Sequence, residues 1–265
     1  MSVLSEILAT KKTEVAHRKA LQGVHFLQEK LIDAPPVRSF RAALTSGNRP
    51  ALIAEVKHAS PSKGIIRQNF DHIAIAGAYQ AAGANCLSVL TDERYFKGSL
   101  QFLSDIRSAV ELPLLRKDFM IDPWQILESR ANGADAILLI VAALTPDCLR
   151  EMLATSAEYG MTALVEVHDE EEVREALEAG ATTIGINNRD LHTFNTNLKV
   201  TLDLLPHMRN TPGTIVVSES GISTPADVAK LRQAGVDAVL VGEAFMREDD
   251  VTEAVRHLMA VPASV

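Results

Sequence analysis

The alternation of apolar and polar stretches along the chain predicts short buried strands separated by helices. Four times, a helix-like stretch ends at a glycine and a short apolar run follows; the glycines are Gly83, Gly133, Gly180 and Gly235. They recur at roughly 50-residue intervals, which indicates an internal repeat. We interpret each glycine as the residue that ends a helix with a positive φ angle before a buried strand begins.

Eight apolar runs are predicted as strands. In chain order they are Leu52–Lys57, Cys86–Leu90, Pro113–Lys117, Ala136–Val141, Thr162–Glu166, Thr183–Asn187, Thr214–Ser218 and Ala238–Gly242. Strands that are apolar throughout are typical of a parallel sheet covered by helices on both faces. Because two strand–helix units repeated four times close naturally, we favour an α/β fold of the (β/α)₈ TIM-barrel type over a doubly wound open sheet.

An N-terminal helical extension is predicted ahead of the first strand. Its helical spacing is carried by Leu4, Ile7, Leu8 and Val15. Pro35 and Pro36 are expected to end this helix before a short second one around Phe40–Leu44. We therefore expect a single domain over residues 1–265, with the extension at 1–48 and the barrel at 49–260. The extension would either cap the bottom of the barrel or lean over its top, and both placements stay open.

Composition narrows the class of protein. The chain of 265 residues is 47% apolar and 23% charged, which suffices for a large core. A net charge of −8 disfavours a general nucleic-acid-binding or anionic-membrane surface. The first 20 residues lack the apolar stretch of a signal peptide, and the run Ala136–Leu144 is too short to span a bilayer. Cys86 and Cys148 are too few for a disulfide framework, so we expect reduced thiols and a cytoplasmic protein.

Polar residues close several of the predicted strands, at the end of the barrel where active sites form. Glu55 and Lys57 share the face opposite to Val56, which we expect to be the interior face. Lys117, Glu166 and Asn187 end three other strands. A structural ion pair would explain any one of these groups. A functional site is favoured because charges on so many strand ends are costly to bury without a function.

Small residues follow strands seven and eight, as Ser220-Gly221 and Gly242-Glu243. Backbone N–H groups at such positions can hold a phosphate. The alternative is ordinary turn chemistry, with Ser223 capping the next helix.

The remaining polar and aromatic candidates are expected to have no chemical role. His58, His168 and His192 are interpreted as rim or loop residues, and Trp124 as a packing residue. No metal site is expected from the spacing of the histidines, and no dinucleotide or Walker motif occurs in the sequence.

These segments together resemble the indole-3-glycerol phosphate synthase family over essentially the whole chain. They are Glu55-x-Lys57-x-x-Ser60-Pro61-Ser62, Leu115-Arg116-Lys117-Asp118-Phe119, Leu164-Val165-Glu166-Val167, Gly185-Ile186-Asn187-Asn188-Arg189-Asp190-Leu191 and Ser218-Glu219-Ser220-Gly221-Ile222. The resemblance implies a barrel enzyme of tryptophan biosynthesis that needs no cofactor. It would convert 1-(2-carboxyphenylamino)-1-deoxyribulose 5-phosphate to indole-3-glycerol phosphate, with loss of carbon dioxide and water.

The resemblance also implies a catalytic set made up of Glu55, Lys57, Lys117, Glu166, Asn187 and Ser220. Lys117 would be the general acid that protonates the ribulose C2 oxygen during ring closure. Glu166 would act as a base or stabilise the developing positive charge. Lys57 would pair with the substrate carboxylate and supply the later proton, with Glu55 and Asn187 positioning or accepting protons. How the acid and base roles divide between the two lysines and the two glutamates stays open.

Substrate-binding roles follow from the same resemblance. Ser220, Gly221, Gly242 and Glu243 would hold the phosphate, Glu243 through its N–H alone because its carboxylate cannot favour an anion. The other implied contacts are Ser60, Arg189 and Leu191 along the site, and Phe119 with Leu138 against the aromatic ring. Because the chain ends soon after strand eight, we expect no fused isomerase barrel. The oligomeric state cannot be predicted from the sequence.

Two other functions compete with this one. A lysine at a strand end can form a Schiff base, which would suit a lyase acting on a phosphorylated sugar. A barrel that only binds a phosphosugar is the other alternative. We rank it last, because two ammonium groups and two carboxylates exceed what binding a dianion requires.

Overall fold

The computed structural model describes residues 3–47, 50–190, 193–208 and 211–260. A closed barrel of parallel strands forms its centre, and β1 pairs with β8 to complete the circle. The strands are β1 (Ala51–Val56), β2 (Cys86–Leu90), β3 (Leu114–Lys117), β4 (Ala136–Ile140), β5 (Thr162–Val167), β6 (Thr183–Asn187), β7 (Ile215–Glu219) and β8 (Ala238–Val241). The structure thus confirms the barrel over the open sheet, with strand ends within one residue of those predicted.

Helices surround the barrel and precede it. They are α1 (Val3–Leu21), α2 (Val24–Ile32), α3 (Phe40–Thr45), α4 (His72–Ala81), α5 (Glu93–Phe96), α6 (Leu100–Ala109), α7 (Pro123–Ala131), α8 (Pro146–Glu158), α9 (Glu170–Glu178), α10 (Lys199–Met208), α11 (Pro225–Ala234), α12 (Glu243–Met246) and α13 (Val251–Met259). A 3₁₀ turn covers Val141–Ala143, and Ala59–Ser60 pairs with Gly64–Ile65 in a small hairpin. The four repeat glycines have φ angles between 89° and 92°, as predicted. No helix in the described ranges is long and apolar enough to cross a membrane.

The interior of the barrel is apolar below its mouth. Alternate strand residues pack together there, among them Ile53, Leu138 and Leu240, while the intervening residues pack against the outer helices. Val56 belongs to the outer layer, which confirms that Glu55 lies on the interior face. The polar residues at the strand ends therefore lie directly above an apolar core, where water is largely excluded.

The N-terminal extension differs from its prediction in one respect. Two helices, α1 and α2, replace the single helix that was expected to run to the proline pair. The break occurs at Gly23, whose backbone is extended, with a ψ angle of 166°. The chain thereby turns so that Leu27 of α2 packs with Val15 of α1 and with Trp124 of α7. Trp124 is a packing residue, as predicted.

The extension both caps the bottom of the barrel and leans over its top. In α3, Phe40 and Leu44 pack against residues at the beginning of the strands. Arg41 donates to the Thr183 hydroxyl and to the Gly213 carbonyl, both at 2.7 Å. At the other end, Val3, Leu4 and Ile7 of α1 line the cavity above the strand ends. The extension therefore occupies both of the positions that the sequence left open, the bottom of the barrel and its top.

Candidate active site

One lysine lies at the centre of the barrel mouth, surrounded by three carboxylates. Lys117 Nζ is 3.1 Å from Glu219 Oε2, 3.6 Å from Glu166 Oε2 and 3.9 Å from Glu55 Oε1. The carboxylates come from β1, β5 and β7, and all three are buried. Glu55 also forms an ion pair with Lys57. The structure therefore brings together the four charged residues predicted from three strand ends, and adds Glu219 as a fifth.

Two glycines make room for these buried carboxylates. A Cβ atom at Gly185 on β6 would lie 2.1 Å from Glu219 Oε1, and one at Gly242 would lie 2.5 Å from Glu55 Oε2. A side chain at either position would displace the carboxylate that it meets. Glycine therefore lets Glu219 and Glu55 keep their places in the charged cluster, in addition to the phosphate role predicted for Gly242.

Electrostatic pairing keeps Lys117 charged. Burial alone would lower its pKa, but the carboxylates of Glu219, Glu166 and Glu55 raise the pKa above its ordinary value. Burial would likewise raise the pKa of Glu55, yet the two lysine ammonium groups beside it hold that pKa below its usual range. The resting site thus contains a protonated Lys117 beside an ionised Glu55.

Glu166 is held in its ionised form. Burial opposes its charge, but Lys117, His168 and Asn187 together lower the pKa of Glu166 to about 2. Asn187 Nδ2 donates to Glu166 Oε1 at 3.1 Å, and His168 Nε2 lies 3.3 Å from the same oxygen. His168 lies in the loop after β5, as predicted, and in addition contacts Glu166. Its other ring nitrogen, Nδ1, lies 3.0 Å from Glu172 Oε2.

Glu219 is the member of the cluster that sequence reasoning missed. Burial and the neighbouring carboxylates raise its pKa to about 7, although Lys117 opposes that rise. Its Oε1 has no hydrogen-bond partner within the described part of the chain. A signal for it exists in the sequence, because Glu219 ends β7 on the same face as the interior residue Val217. The same alternation had singled out Glu55.

The polar end of the cavity lies beyond strands β7 and β8. It is lined by the predicted residues Ser220, Gly221, Gly242 and Glu243, together with Arg247. Ser220 has a φ of 65° and Gly221 a φ of 75°, so two consecutive residues adopt the left-handed conformation. Such strain in a residue other than glycine is concentrated at functional sites.

Two side chains near this polar end have partners that the sequence did not specify. Arg189 Nη2 is 3.3 Å from Glu243 Oε2, and Arg189 Nη1 donates to Ser62 Oγ at 3.4 Å.

Thr224, and not Ser223, caps α11. Its hydroxyl accepts from the Asp227 N–H while the Asp227 carboxylate accepts from the Thr224 N–H. The cap therefore differs from Ser223, the residue of the alternative explanation, because this reciprocal pair requires the cap to stand three residues before Asp227.

The other end of the cavity is apolar. Phe119 and Leu138 line it as predicted, with further apolar side chains from α1, β2, α5 and β4, and Phe194. Ser60 also borders this space, and its buried hydroxyl has no hydrogen-bond partner among the described residues. Leu191 and His192 lie outside the described residues. The cavity thus has an apolar end and a polar end, with the charged cluster between them.

Comparison with known sequences identifies the family. A family model described as indole-3-glycerol phosphate synthase matches residues 4–258. An indole-3-glycerol phosphate synthase of Roseiflexus sp. (strain RS-1) is 49% identical over 263 residues, covering 97% of this chain and 98% of the relative. One of Dehalococcoides mccartyi (strain ATCC BAA-2266 / KCTC 15142 / 195) is 50% identical over 260 residues, covering 97% and 100%.

Solved structures share the fold at low sequence identity. A 3-hexulose-6-phosphate synthase has a TM-score of 0.65 at 14% identity, covering 80% of this chain and 100% of its own. A thiamine phosphate pyrophosphorylase from Pyrococcus furiosus has a TM-score of 0.63 at 15% identity, covering 84% and 97%. At these identities the likeness is one of fold alone.

Proposed function

The chain belongs to the indole-3-glycerol phosphate synthase family, and from this premise we propose how the residues at the barrel mouth divide the reaction. The reaction is that of a carboxy-lyase in tryptophan biosynthesis. It closes the pyrrole ring of 1-(2-carboxyphenylamino)-1-deoxyribulose 5-phosphate and releases carbon dioxide and water to give indole-3-glycerol phosphate. The observation that carries the proposal is the single ammonium group of Lys117 within reach of three buried carboxylates.

The polarity of the cavity orients the substrate. The aromatic ring packs at the apolar end against Phe119 and Leu138, and the phosphate lies at the polar end near Ser220 and Gly221. The reacting ribulose carbons then lie between the two ends, beside Lys117. The unpartnered hydroxyl of Ser60 gains a hydrogen-bond partner when substrate fills the cavity.

Lys117 acts as the general acid of ring closure. It is charged in the resting site, and it protonates the C2 oxygen as the aromatic carbon attacks. Glu166 stabilises the positive charge that develops on the anilino group. A pKa of about 2 favours this role over that of a base, because so weak a base holds a proton poorly. Lys57, held by Glu55, pairs with the substrate carboxylate until carbon dioxide leaves.

Turnover of the carboxyphenylamino-deoxyribulose phosphate tests the proposal. The purified protein should generate indole absorbance and fluorescence, and Lys117→Ala should lower kcat by about 10³-fold or more, the range expected for loss of a positioned general acid. An inactive wild type would contradict the function. A variant that keeps its activity would contradict the assignment of Lys117.

A Schiff-base lyase is disfavoured by the charge on Lys117. A nucleophilic lysine needs a lowered pKa, whereas the three carboxylates raise it here. Treatment with borohydride during turnover should therefore leave no substrate attached to Lys117, as judged by the intact mass of the protein.

The extension and the barrel are proposed to form one functional domain, since α1 contributes a wall of the site. A cytoplasmic location is supported by the two free cysteines, Cys86 and Cys148.

A further inference from the structure

The proposed reaction consumes one proton from solvent in each turnover. At neutral pH the substrate carries a carboxylate and a phosphate, whereas the product carries the phosphate alone and the leaving molecules are neutral. One proton is taken up by the C2 oxygen as the carbon–carbon bond forms, and a second by the hydroxyl as the carbon–oxygen bond breaks. Only one returns, from the former C1 carbon. Because the charged cluster is buried, the missing proton needs a route.

His168 lies between the cluster and the protein surface. Its Nε2 is 3.3 Å from Glu166 Oε1, an ion-pair contact that makes no hydrogen bond among the described residues, and its Nδ1 is 3.0 Å from Glu172 Oε2. The exposed fraction of the side chains rises outward along this series, from 4% at Glu166 to 13% at His168 and 17% at Glu172. Glu172 also accepts from the backbone N–H of His168 at 2.8 Å, which fixes its carboxylate against the ring.

We propose that His168 is the proton donor that recharges the active site after each turnover, with Glu172 holding its imidazolium form. The proposal rests on the function proposed above. The Nε2–H bond of His168 breaks as an O–H bond forms on Glu166. After a half-turn of its carboxyl group, Glu166 passes the proton to the neutral amine of Lys117, 3.6 Å from its Oε2. The imidazole then takes a replacement proton from solvent.

The surroundings of His168 keep it charged between turnovers. Burial lowers its pKa, but the two carboxylates that face it, Glu166 on β5 and Glu172 on α9, raise the pKa to about 10. Among the described residues, Glu166 and Glu172 are the charged groups that act on His168. His168 is therefore protonated at neutral pH. His168 releases its proton only after Lys117 has lost its own proton. The neutral amine then no longer stabilises the ionised form of Glu166, so that Glu166 can accept a proton.

Pre-steady-state turnover of His168→Asn distinguishes a proton donor from a positioning residue. The first turnover uses protons already stored on the lysines, so the variant should form one equivalent of product at the wild-type rate. Later turnovers should then slow roughly ten-fold, within the range of a lost proton-transfer group, while KM stays within two-fold. Added imidazole should accelerate the later turnovers of the variant and leave the wild type unchanged. Glu172→Gln should show the same pattern more weakly.

His207→Asn is the matched control. His207 pairs with Glu170, which lies in the first turn of α9 as Glu172 does, but it does not contact Glu166. It should behave as the wild type. If His168→Asn slows its first turnover as much as the later ones, or if imidazole has no effect, His168 only positions Glu166 and the proposal is wrong. A His168→Asn variant whose first and later turnovers proceed at the wild-type rates also overturns the proposal. A wild type that forms no indole product overturns the proposed function instead, together with the donor role.

Discussion

Two buried charge clusters lie on either side of the end of β3, and they are built differently. The site cluster, which consists of Glu55, Lys57, Lys117, Glu166 and Glu219, faces the cavity. The outer cluster, which consists of Lys11, Asp92, Arg116, Asp118 and Glu128, lies beneath α1. Lys117 and Asp118 are consecutive in the chain, and strand alternation turns them to opposite sides.

The cations of the outer cluster lie closer to their carboxylates than Lys117 does in the site cluster. Each outer carboxylate has a cation within 2.9 Å, for example Lys11 Nζ beside Asp118 Oδ1 at 2.8 Å. Burial would raise the pKa of Asp118, but Arg116 and Lys11 hold it well below its usual range. In the site cluster the pKa of Glu219 is raised to about 7 instead. Close contacts fix protonation states and stabilise the fold, whereas the longer contacts of Lys117 leave protons free to move.

The largest effect on stability is expected from Lys11→Met. Removing the ammonium leaves Asp92 and Asp118 buried without one of their cations, which should lower the free energy of unfolding by about 3–5 kcal/mol. Urea unfolding measures this loss. Lys19→Met is the control on the same helix, since its ion pair with Asp122 is half-exposed and should contribute under about 1 kcal/mol. Equal losses in the two variants would remove the distinction between buried and exposed pairs.

A smaller effect is expected from Gly185→Ala, which introduces a methyl group where Glu219 lies. Displacing that carboxylate should destabilise the protein by about 2–3 kcal/mol and lower kcat more than it raises KM. Gly77→Ala in α4 is the control, because a Cβ there meets nothing within 4 Å and alanine favours helices. A fully active and stable Gly185→Ala would show that the position of Glu219 is unimportant.

The pH dependence of stability is expected to differ in sign between the two clusters. Because the pKa of Glu219 is raised by folding, its contribution is present below pH 4.5 and is lost as the pH rises through about 7. The pKa of Asp118 is lowered, so its contribution is present above pH 3.8 and is lost on acidification. Unfolding of Glu219→Gln and Asp118→Asn across pH, each compared with wild type, should therefore give slopes of opposite sign. Slopes of the same sign would contradict the comparison.

Much of the barrel and most of the site could be predicted because they depend on local patterns. Strand alternation assigns Glu55 to the interior, and the repeat glycines mark where strands begin. Glu219 followed the same rule and was overlooked. His168 could not be recognised in this way, because its role depends on a distance to Glu166 and on the first turn of the following helix.

The sequence by itself determined the order of the strands, the face on which each side chain lies and the family of the enzyme. These features follow from periodicity and from motifs within a few residues. The tertiary structure decided the sharing of one ammonium group among carboxylates up to 164 residues apart, since it requires strands β1 and β7 to converge. It also placed α3 below the barrel and α1 above it. Barrel closure sets such distances, and no local pattern encodes them.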